Sequence, residues 1–140
     1  YFRQKGDEGN LANAVNSVLE ERKLSRELMA LVGQAEKIFA TEKVQDAKQK
    51  VLAALQGLPN YHRQFERQTR NQHAATVVEA KLSHDLAYYR YFDRIAELAE
   101  KAPSLPTLID DLKKLPRDAT PAAMDKLLSD LHAKYGATPK

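Results

Sequence analysis

The sequence predicts an all-α protein, built on a long antiparallel helical hairpin with two short helices after it. Residues 10–58 contain no proline and only two glycines, and residues 60–102 contain neither residue type. In both stretches apolar residues recur at three- and four-residue steps, the period of a helix that packs along one face. The two stretches meet at Gly57-Leu58-Pro59, and such a glycine and proline are typical of a helix end.

The first arm of the hairpin is predicted to cover residues 10–57. Asn10 suits the N-cap position, because its side chain can accept a hydrogen bond from the first helical turn. The apolar stripe of this arm consists of Leu11, Val15, Val18, Leu28, Leu31, Val32, Ala35, Ile38, Phe39, Val44, Ala47, Val51 and Leu55. Thr41 could cap a new helix, so the pattern leaves open whether the arm is one helix or two.

The second arm is predicted to cover residues 60–101, with Asn60 as its N-cap. Its apolar positions are Tyr61, Phe65, Leu82, Leu86, Tyr89, Phe92, Ala96 and Ala99. At a rise of about 1.5 Å per residue, each arm would be roughly 60–70 Å long. Pairing of the arms over their whole length places residues 22–25 near residues 92–95.

Two short helices are predicted after the hairpin, at residues 104–115 and 120–135. Ser104 can cap the first of them. Thr120 suits the N-cap position of the second, because Pro121 follows it at the first helical position. We expect these helices to fold back over the open end of the hairpin, so that the whole chain forms a single helical domain.

Two helical arms cannot bury their apolar stripes alone, and the two short helices would cover only part of them. The simplest cover is a second copy of the chain, since two hairpins would together form a four-helix bundle. The sequence therefore predicts a homodimer.

The basic residues exceed the acidic ones by 22 to 19, and the excess lies around the predicted hairpin tip, where residues 42–73 hold six basic and three acidic side chains. The absence of cysteine excludes a disulfide framework and thiolate chemistry. The chain has no apolar run long enough to span a bilayer and begins at Tyr1. We therefore expect a mature protein or excised domain whose membrane attachment, if any, lies in segments outside this chain.

Catalytic and metal sites are not indicated. The sequence has no glycine-rich phosphate loop, nucleophile elbow or metal-ligand spacing, so we expect no enzyme activity, cofactor or bound metal. His62, His73 and His84 recur every eleven residues, but on a helix this spacing separates neighbours by about 16 Å, too far for one ion. Asp110 and Asp111 are adjacent and diverge on a helix, so we expect them to be surface charges.

The strongest binding signal in the second arm is a row of arginines. Arg63, Arg67 and Arg70 follow a four- then three-residue step, which places their guanidinium groups on one helix face. Such a row can donate hydrogen bonds to an anion, to phosphates or to acidic side chains, although a solvated basic face has the same pattern. Aromatic residues nearby are limited to Tyr61 and Phe65, so nucleic acid is not favoured.

A second binding signal is a polar break in the stripe of the first arm. Glu21, Arg22 and Ser25 occupy positions where apolar residues are expected. Polar groups in a packed interface are costly unless they are paired, so they are either compensated across the interface or used for a ligand. A local shift of the stripe onto Leu24 would also explain the pattern.

The same region carries a family resemblance. The stretch Val18-Leu19-Glu20-Glu21-Arg22-Lys23-Leu24-Ser25 resembles the Leu-x-x-Glu-Arg-Gly-Leu-Ser element of nitrate- and nitrite-sensing domains, with Lys23 in place of the glycine. The later pattern Tyr91-x-x-x-Ile95-x-x-Leu98 resembles a downstream helix of that family. These domains are extracytoplasmic helical modules of bacterial receptors, and the resemblance implies a periplasmic or otherwise extracytoplasmic sensor.

Two functions are therefore expected. In the first, the chain is a non-catalytic sensor or ligand-binding domain of a membrane receptor, which holds a small anion through Arg22 and Ser25 or through Arg63, Arg67 and Arg70 and signals by small helix shifts. In the second, it is a structural or adaptor protein whose basic tip binds an acidic protein or anionic lipid.

Overall fold

The structure is a computed structural model, and it describes residues 6–70 and 73–136. Every regular element within these ranges is an α-helix, which confirms the all-α prediction. In chain order the helices are α1 (Glu8–Thr41), α2 (Val44–Gln56), α3 (Pro59–Thr69), α4 (Ala74–Tyr89), α5 (Phe92–Lys101), α6 (Leu105–Leu112) and α7 (Pro121–Gly136). None of these helices is both long enough and apolar enough to cross a membrane.

The described residues fall into two compact units, divided between Asp93 and Arg94. The first contains α1 to α4 and the start of α5, and the second contains the rest of α5 with α6 and α7.

The predicted first arm is two helices, the alternative that Thr41 left open, but the N-cap residue of α2 is Lys43 and not Thr41. The Thr41 hydroxyl donates to the carbonyl oxygens of Lys37 and Ile38, at 3.2 and 3.4 Å, and α1 ends there. Glu42 then takes an extended backbone, with φ −111° and ψ 157°. A side chain that bonds back to its own helix in this way competes with continuation of the helix.

The chain reverses direction at this break, as contacts of Glu27 on α1 show. The Glu27 carboxylate accepts hydrogen bonds from the backbone N–H groups of Asn60 and Tyr61, at 3.0 and 2.7 Å. In one continuous arm, residues 27 and 57 would lie about 45 Å apart. Helix α2 therefore packs back along α1, and the start of α3 lies beside the middle of α1.

The predicted second arm is divided as well, into α3, α4 and α5. Each of the helices α1 to α4 contacts the other three, so the first unit is a four-helix bundle formed by one chain. Its shared core consists of Leu24, Leu28, Leu31, Ala35, Val51, Leu55, Tyr61, Phe65, Val78 and Leu82. The apolar stripe of α1 from Leu24 to Ala35 is therefore covered by the chain itself. The homodimer stays a prediction, but the uncovered stripe that motivated it is not found in this part of α1.

The predicted proximity of residues 22–25 to residues 92–95 is confirmed. Arg22 Nε lies 2.7 Å from Asp93 Oδ1, and the Asp93 backbone N–H donates to Ser25 Oγ at 3.3 Å. The start of α5 therefore lies beside residues 22–25 of α1, as the two-arm pairing required.

Local helix ends follow the sequence in some places and differ in others. Ser104 and Thr120 are N-caps as predicted, and each side chain accepts a hydrogen bond from the backbone three residues later. At the start of α1 the N-cap is Asp7 and not Asn10, because Asp7 Oδ1 accepts from the Asn10 N–H at 3.2 Å. At the start of α3 the N-cap residue is Leu58 and not Asn60, and Glu27 satisfies the first N–H groups instead.

The second unit has a small core of its own, in which Leu98, Leu108, Leu128, Leu131 and Tyr135 are buried. Arg94 forms an ion pair with Asp125, and Lys101 Nζ lies 3.0 Å from His132 Nε2, so α5 is tied to α7 by polar contacts.

Candidate functional site

A cleft in the first unit lies between α2 and α3, and we refer to it as the α2–α3 cleft. It encloses about 580 Å³. Its apolar floor consists of Leu52, Leu55 and Phe65, of which Leu55 and Phe65 are almost completely buried. The floor is fixed by the fold, because Leu55 and Phe65 belong to the core of the bundle.

The rim of the α2–α3 cleft is polar and includes Gln49, Gln56, His62, Glu66 and Arg70. His62 Nε2 lies 3.5 Å from Glu66 Oε1, so these two side chains face each other along α3. Arg70 Nε donates to the carbonyl oxygen of Arg67 at 3.4 Å, and within residues 6–70 and 73–136 its guanidinium group has no carboxylate partner. The rim therefore presents one guanidinium group that forms no ion pair within the described residues, together with the Glu66 carboxylate.

A second, smaller cleft of about 260 Å³ lies between α1 and α3, and we refer to it as the α1–α3 cleft. Glu20, Glu21 and Leu24 line it from α1, and its lining from α3 consists of Asn60, Arg63, Gln64 and Arg67. Gln64 Nε2 donates to the Tyr89 hydroxyl oxygen at 3.2 Å. Burial raises the pKa of Tyr89, and its hydrogen bond to Glu21 adds to this effect, so Tyr89 keeps its proton next to the cleft.

The predicted arginine row is divided between the two clefts. Arg63 and Arg67 line the α1–α3 cleft, whereas Arg70, the first residue after α3, lines the α2–α3 cleft. The three guanidinium groups therefore do not converge on one anion. The acidic neighbours Glu20 and Glu21, which share the cleft with Arg63 and Arg67, were not expected from the sequence.

Arg22 and Ser25, the other predicted ligand-binding residues, are paired within the protein. Asp93 bridges two arginines, since its Oδ1 lies 2.7 Å from Arg22 Nε and its Oδ2 lies 2.7 Å from Arg26 Nε. The Ser25 hydroxyl donates to the carbonyl oxygen of Tyr89 at 2.6 Å. The polar break in the stripe is thus compensated across the interface, and Leu24 also packs in the core, as the alternative of a local shift required.

The electrostatics of this bridge agree with its geometry. Burial raises the pKa of Asp93, but hydrogen bonds from Arg26 and Arg22 outweigh that effect and hold the pKa below its ordinary value. Asp93 is therefore ionised at neutral pH and balances the arginines of α1.

Two buried carboxylates, one in each unit, were not predicted from the sequence. Asp85 is 3% exposed and accepts a hydrogen bond from the Tyr61 hydroxyl at 2.7 Å, with Lys81 and His84 as further partners. Burial alone would raise the pKa of Asp85. Hydrogen bonds from Lys81, Tyr61 and His84 outweigh this effect and hold the pKa below its ordinary value. Lysine four residues before aspartate was the only sequence signal for this cluster.

The second of these carboxylates corrects an expectation. Asp111 was expected at the surface but is 4% exposed. Its Oδ2 accepts from the Tyr135 hydroxyl and from Lys134 Nζ, both at 2.6 Å, and its Oδ1 pairs with Lys114 Nζ at 2.5 Å. Hydrogen bonds from Lys114, Lys134 and Tyr135 hold the pKa of Asp111 far below its usual range.

The histidines do not form a shared site in the described part of the chain. His62 lies on the rim of the α2–α3 cleft, His73 is the N-cap residue of α4, and His84 is largely exposed. Among residues 6–70 and 73–136, no cluster of histidine and acidic side chains is arranged to hold a metal ion.

No protein-family model, curated protein or solved structure matches this chain. The resemblance to nitrate- and nitrite-sensing domains therefore rests on the short stretches around Arg22 and Ile95 alone.

Proposed function

We propose that this chain is a non-catalytic ligand-binding domain whose α2–α3 cleft takes an amphipathic anion, a small molecule with an apolar body and one acidic group. The supporting observation is the combination of a buried apolar floor with a rim arginine, Arg70, that forms no ion pair within the described residues. The volume of about 580 Å³ is typical of small-molecule sites, which are concave, mostly apolar and supplied with a few polar groups.

The chemistry of the cleft favours one negative charge on the ligand. The apolar body would cover Leu52, Leu55 and Phe65, and the acidic group would accept hydrogen bonds from the Arg70 guanidinium. The Glu66 carboxylate faces the His62 ring and forms no ion pair with Arg70, so the Arg70 guanidinium can still donate hydrogen bonds to the ligand.

The sensor function belongs to the same proposal. A ligand between α2 and α3 contacts two short helices that are joined by only two residues, and the N-terminal end of α3 is held on α1 by Glu27. Binding would shift α3 against α2, and a displacement of packed helices is a common signal in receptor domains. An extracytoplasmic location in a membrane receptor is the setting that the resemblance implies.

The experiment is a fluorescence titration with anilinonaphthalene sulfonate, an aromatic anion that fluoresces on apolar surfaces. Arg70→Gln should weaken binding by about five- to tenfold, because it removes a charged donor from a partly exposed rim. Ala53→Phe adds a side chain to an exposed position of the cleft lining and should block the probe. Arg63→Gln, the matched arginine control on α3, should bind like the wild type because Arg63 lines the other cleft.

Octanoate should compete with the fluorescent probe if the acidic group and the apolar body both contribute. Equal binding by the wild type, Arg70→Gln and Ala53→Phe would show that the probe binds elsewhere and would reject the proposal. A folded wild-type protein that gives no fluorescence increase would reject it as well.

The adaptor function remains a second candidate, because Arg63, Arg67 and Arg70 are all exposed and form no ion pair within the described residues. Glu20 and Glu21 lie beside two of these arginines and reduce the attraction for a polyanion. Binding to polyglutamate or to phosphatidylserine vesicles that is lost in the triple glutamine variant would favour this function. Binding that survives the triple substitution would exclude the arginine row as its cause.

The homodimer also remains a proposal. Val15, Val18 and Leu19 are exposed apolar residues on α1 that a second copy would cover, and sedimentation equilibrium of the wild type against Val18→Glu tests this. A monomeric wild type would exclude it at the concentrations used.

A further inference from the structure

The α1–α3 cleft carries charges of both signs on facing helices. Two carboxylates, Glu20 and Glu21, line it from α1, and two guanidinium groups, Arg63 and Arg67, line it from α3. Within the described residues, neither arginine forms an ion pair with a carboxylate across the cleft. The cleft therefore presents charges of both signs that form no ion pair across it within the described residues.

The acidic side of the cleft has one side chain that is positioned better than the other. Glu20 already pairs with Lys23, at 2.7 Å. Glu21 forms a hydrogen bond with the Tyr89 hydroxyl, which also accepts from Gln64. Glu21 is therefore held beside the cleft by its contact with Tyr89 of α4.

The basic side of the cleft suits a carboxylate. Arg63 and Arg67 are four residues apart on α3, so their side chains are neighbours on one helix face, about 6 Å apart along the axis. Guanidinium groups bind carboxylates through paired N–H donors, and two of them one turn apart can hold one carboxylate from both sides.

We infer that the α1–α3 cleft binds a small zwitterion of the α-amino-acid type, with its ammonium group on Glu21 and its carboxylate on Arg63 and Arg67. A simple anion would be repelled by Glu21, and a simple cation would be repelled by the arginines. The volume of about 260 Å³ suits a ligand smaller than that of the α2–α3 cleft. Leu24, at the base of the cleft, provides apolar contact for a short side chain.

The test is a titration of the isotope-labelled protein with L-alanine, followed by NMR through the side-chain amide signals of Asn60 and Gln64. These two groups line the cleft and report on it directly. L-Alanine should give saturable shifts, and acetate and methylammonium at the same ionic strength should bind at least about tenfold more weakly, because each meets a like charge.

Two variants separate a binding role from a structural one. Glu21→Gln should weaken L-alanine binding by about tenfold but strengthen acetate binding, because the repulsion of the anion is removed. Arg67→Gln should weaken both. Arg70→Gln, which changes the other cleft, should leave L-alanine binding unchanged, so failure of this inference is distinct from failure of the proposed function.

Three results would overturn the inference. The first is the absence of saturable shifts with L-alanine. The second is acetate binding as strong as L-alanine binding, which would mean that Glu21 does not select against anions. The third is unchanged selectivity in Glu21→Gln, which would mean that this carboxylate does not contact the ammonium group.

Discussion

The substitution Tyr61→Phe should destabilise the four-helix bundle by about 2 kcal/mol, although it removes a single oxygen atom. The Tyr61 side chain is completely buried, and its hydroxyl donates to Asp85 Oδ2 at 2.7 Å. Phenylalanine fills nearly the same space, so no large cavity adds to the effect. What is lost is a hydrogen bond to a buried ionised carboxylate, which contributes about 1.5–3 kcal/mol. Lys81 still pairs with Asp85 in the variant, so we expect a value below the upper end of that range.

The effect of Tyr61→Phe should also depend on pH. The folded-state pKa of Asp85 is lowered, so its ionisation contributes stability above the unfolded pKa, about 3.9, and that stability is lost as the pH falls through the folded pKa. Removing the tyrosine hydroxyl takes away one of the bonds that lower this pKa. The difference in stability between wild type and variant should therefore be complete at pH 7 and should shrink below about pH 4.

The assay is urea unfolding followed by circular dichroism at several pH values, with Tyr88→Phe as the matched control. Tyr88 lies on α4 near Asp85 in sequence but is 69% exposed, so loss of its hydroxyl should change the free energy of unfolding by less than about 0.5 kcal/mol. Equal effects of the two substitutions would show that the Tyr61–Asp85 contact contributes no net stability. A difference that stays constant below pH 4 would show that the carboxylate is not the partner that matters.

Three further predictions concern other parts of the chain. Leu28→Ala should cost about 2–5 kcal/mol in urea unfolding because Leu28 is completely buried, whereas Leu19→Ala, on the exposed face of the same helix, should cost well under 1 kcal/mol; similar values would contradict the bundle core. Asp93→Asn should lower the free energy of unfolding by about 1–2 kcal/mol at pH 7, because it removes the charge between two arginines. This loss should become smaller as the pH falls below about 4, and urea unfolding at several pH values measures both effects. In an alkaline titration followed by ultraviolet absorbance, Tyr135 should lose its proton near pH 12, because burial and then its bond to Asp111 raise its pKa to about 12, and Tyr135→Phe should lack this step. A Tyr135 signal at the ordinary tyrosine pKa would contradict the buried contact.

The parts of the fold that could be predicted depend on local sequence or on simple helix pairing. Ser104 and Thr120 cap their helices through contacts within four residues, so the sequence contains everything that these caps need. The proximity of residues 22–25 to residues 92–95 was predicted from the matched lengths of two antiparallel segments, and the ion pair between Arg22 and Asp93 lies in this region.

The chain reversal after Thr41 could not be predicted from the usual signals, because no glycine or proline lies at the break. Residues 42–43 are a glutamate and a lysine, which are good helix formers. The reversal is favoured by burial, since it brings Val51 and Leu55 of α2 against the stripe of α1 within one chain. Burial of several large apolar side chains outweighs the small propensity for a longer helix.

The candidate site was predicted in its residue types but not in its arrangement. The spacing of Arg63, Arg67 and Arg70 shows which face of α3 they share, but it contains no information about the helices on either side. Because α1 and α2 flank α3, two of these arginines face Glu20 and Glu21, and the third lies at the end of α3 beside an apolar floor. The charge balance of each cleft therefore depends on tertiary contacts, and it changes the expected ligand from a simple anion to an amphipathic anion in one cleft and a zwitterion in the other.

The buried carboxylates explain why α3 packs on α4, and α6 on α7, in a single register. Tyr61 on α3 bonds to Asp85 on α4, and Tyr135 on α7 bonds to Asp111 on α6, each with a lysine beside the carboxylate. A slip of either helix pair by one turn would still bring apolar side chains together, but it would leave a buried carboxylate without its tyrosine donor. Each tyrosine–aspartate contact thus penalises the wrong register more than it favours the right one. If this is correct, replacing Tyr61 and Asp85 together by phenylalanine and leucine should retain much of the stability but give a bundle with broader NMR signals, because the apolar core alone permits more than one register.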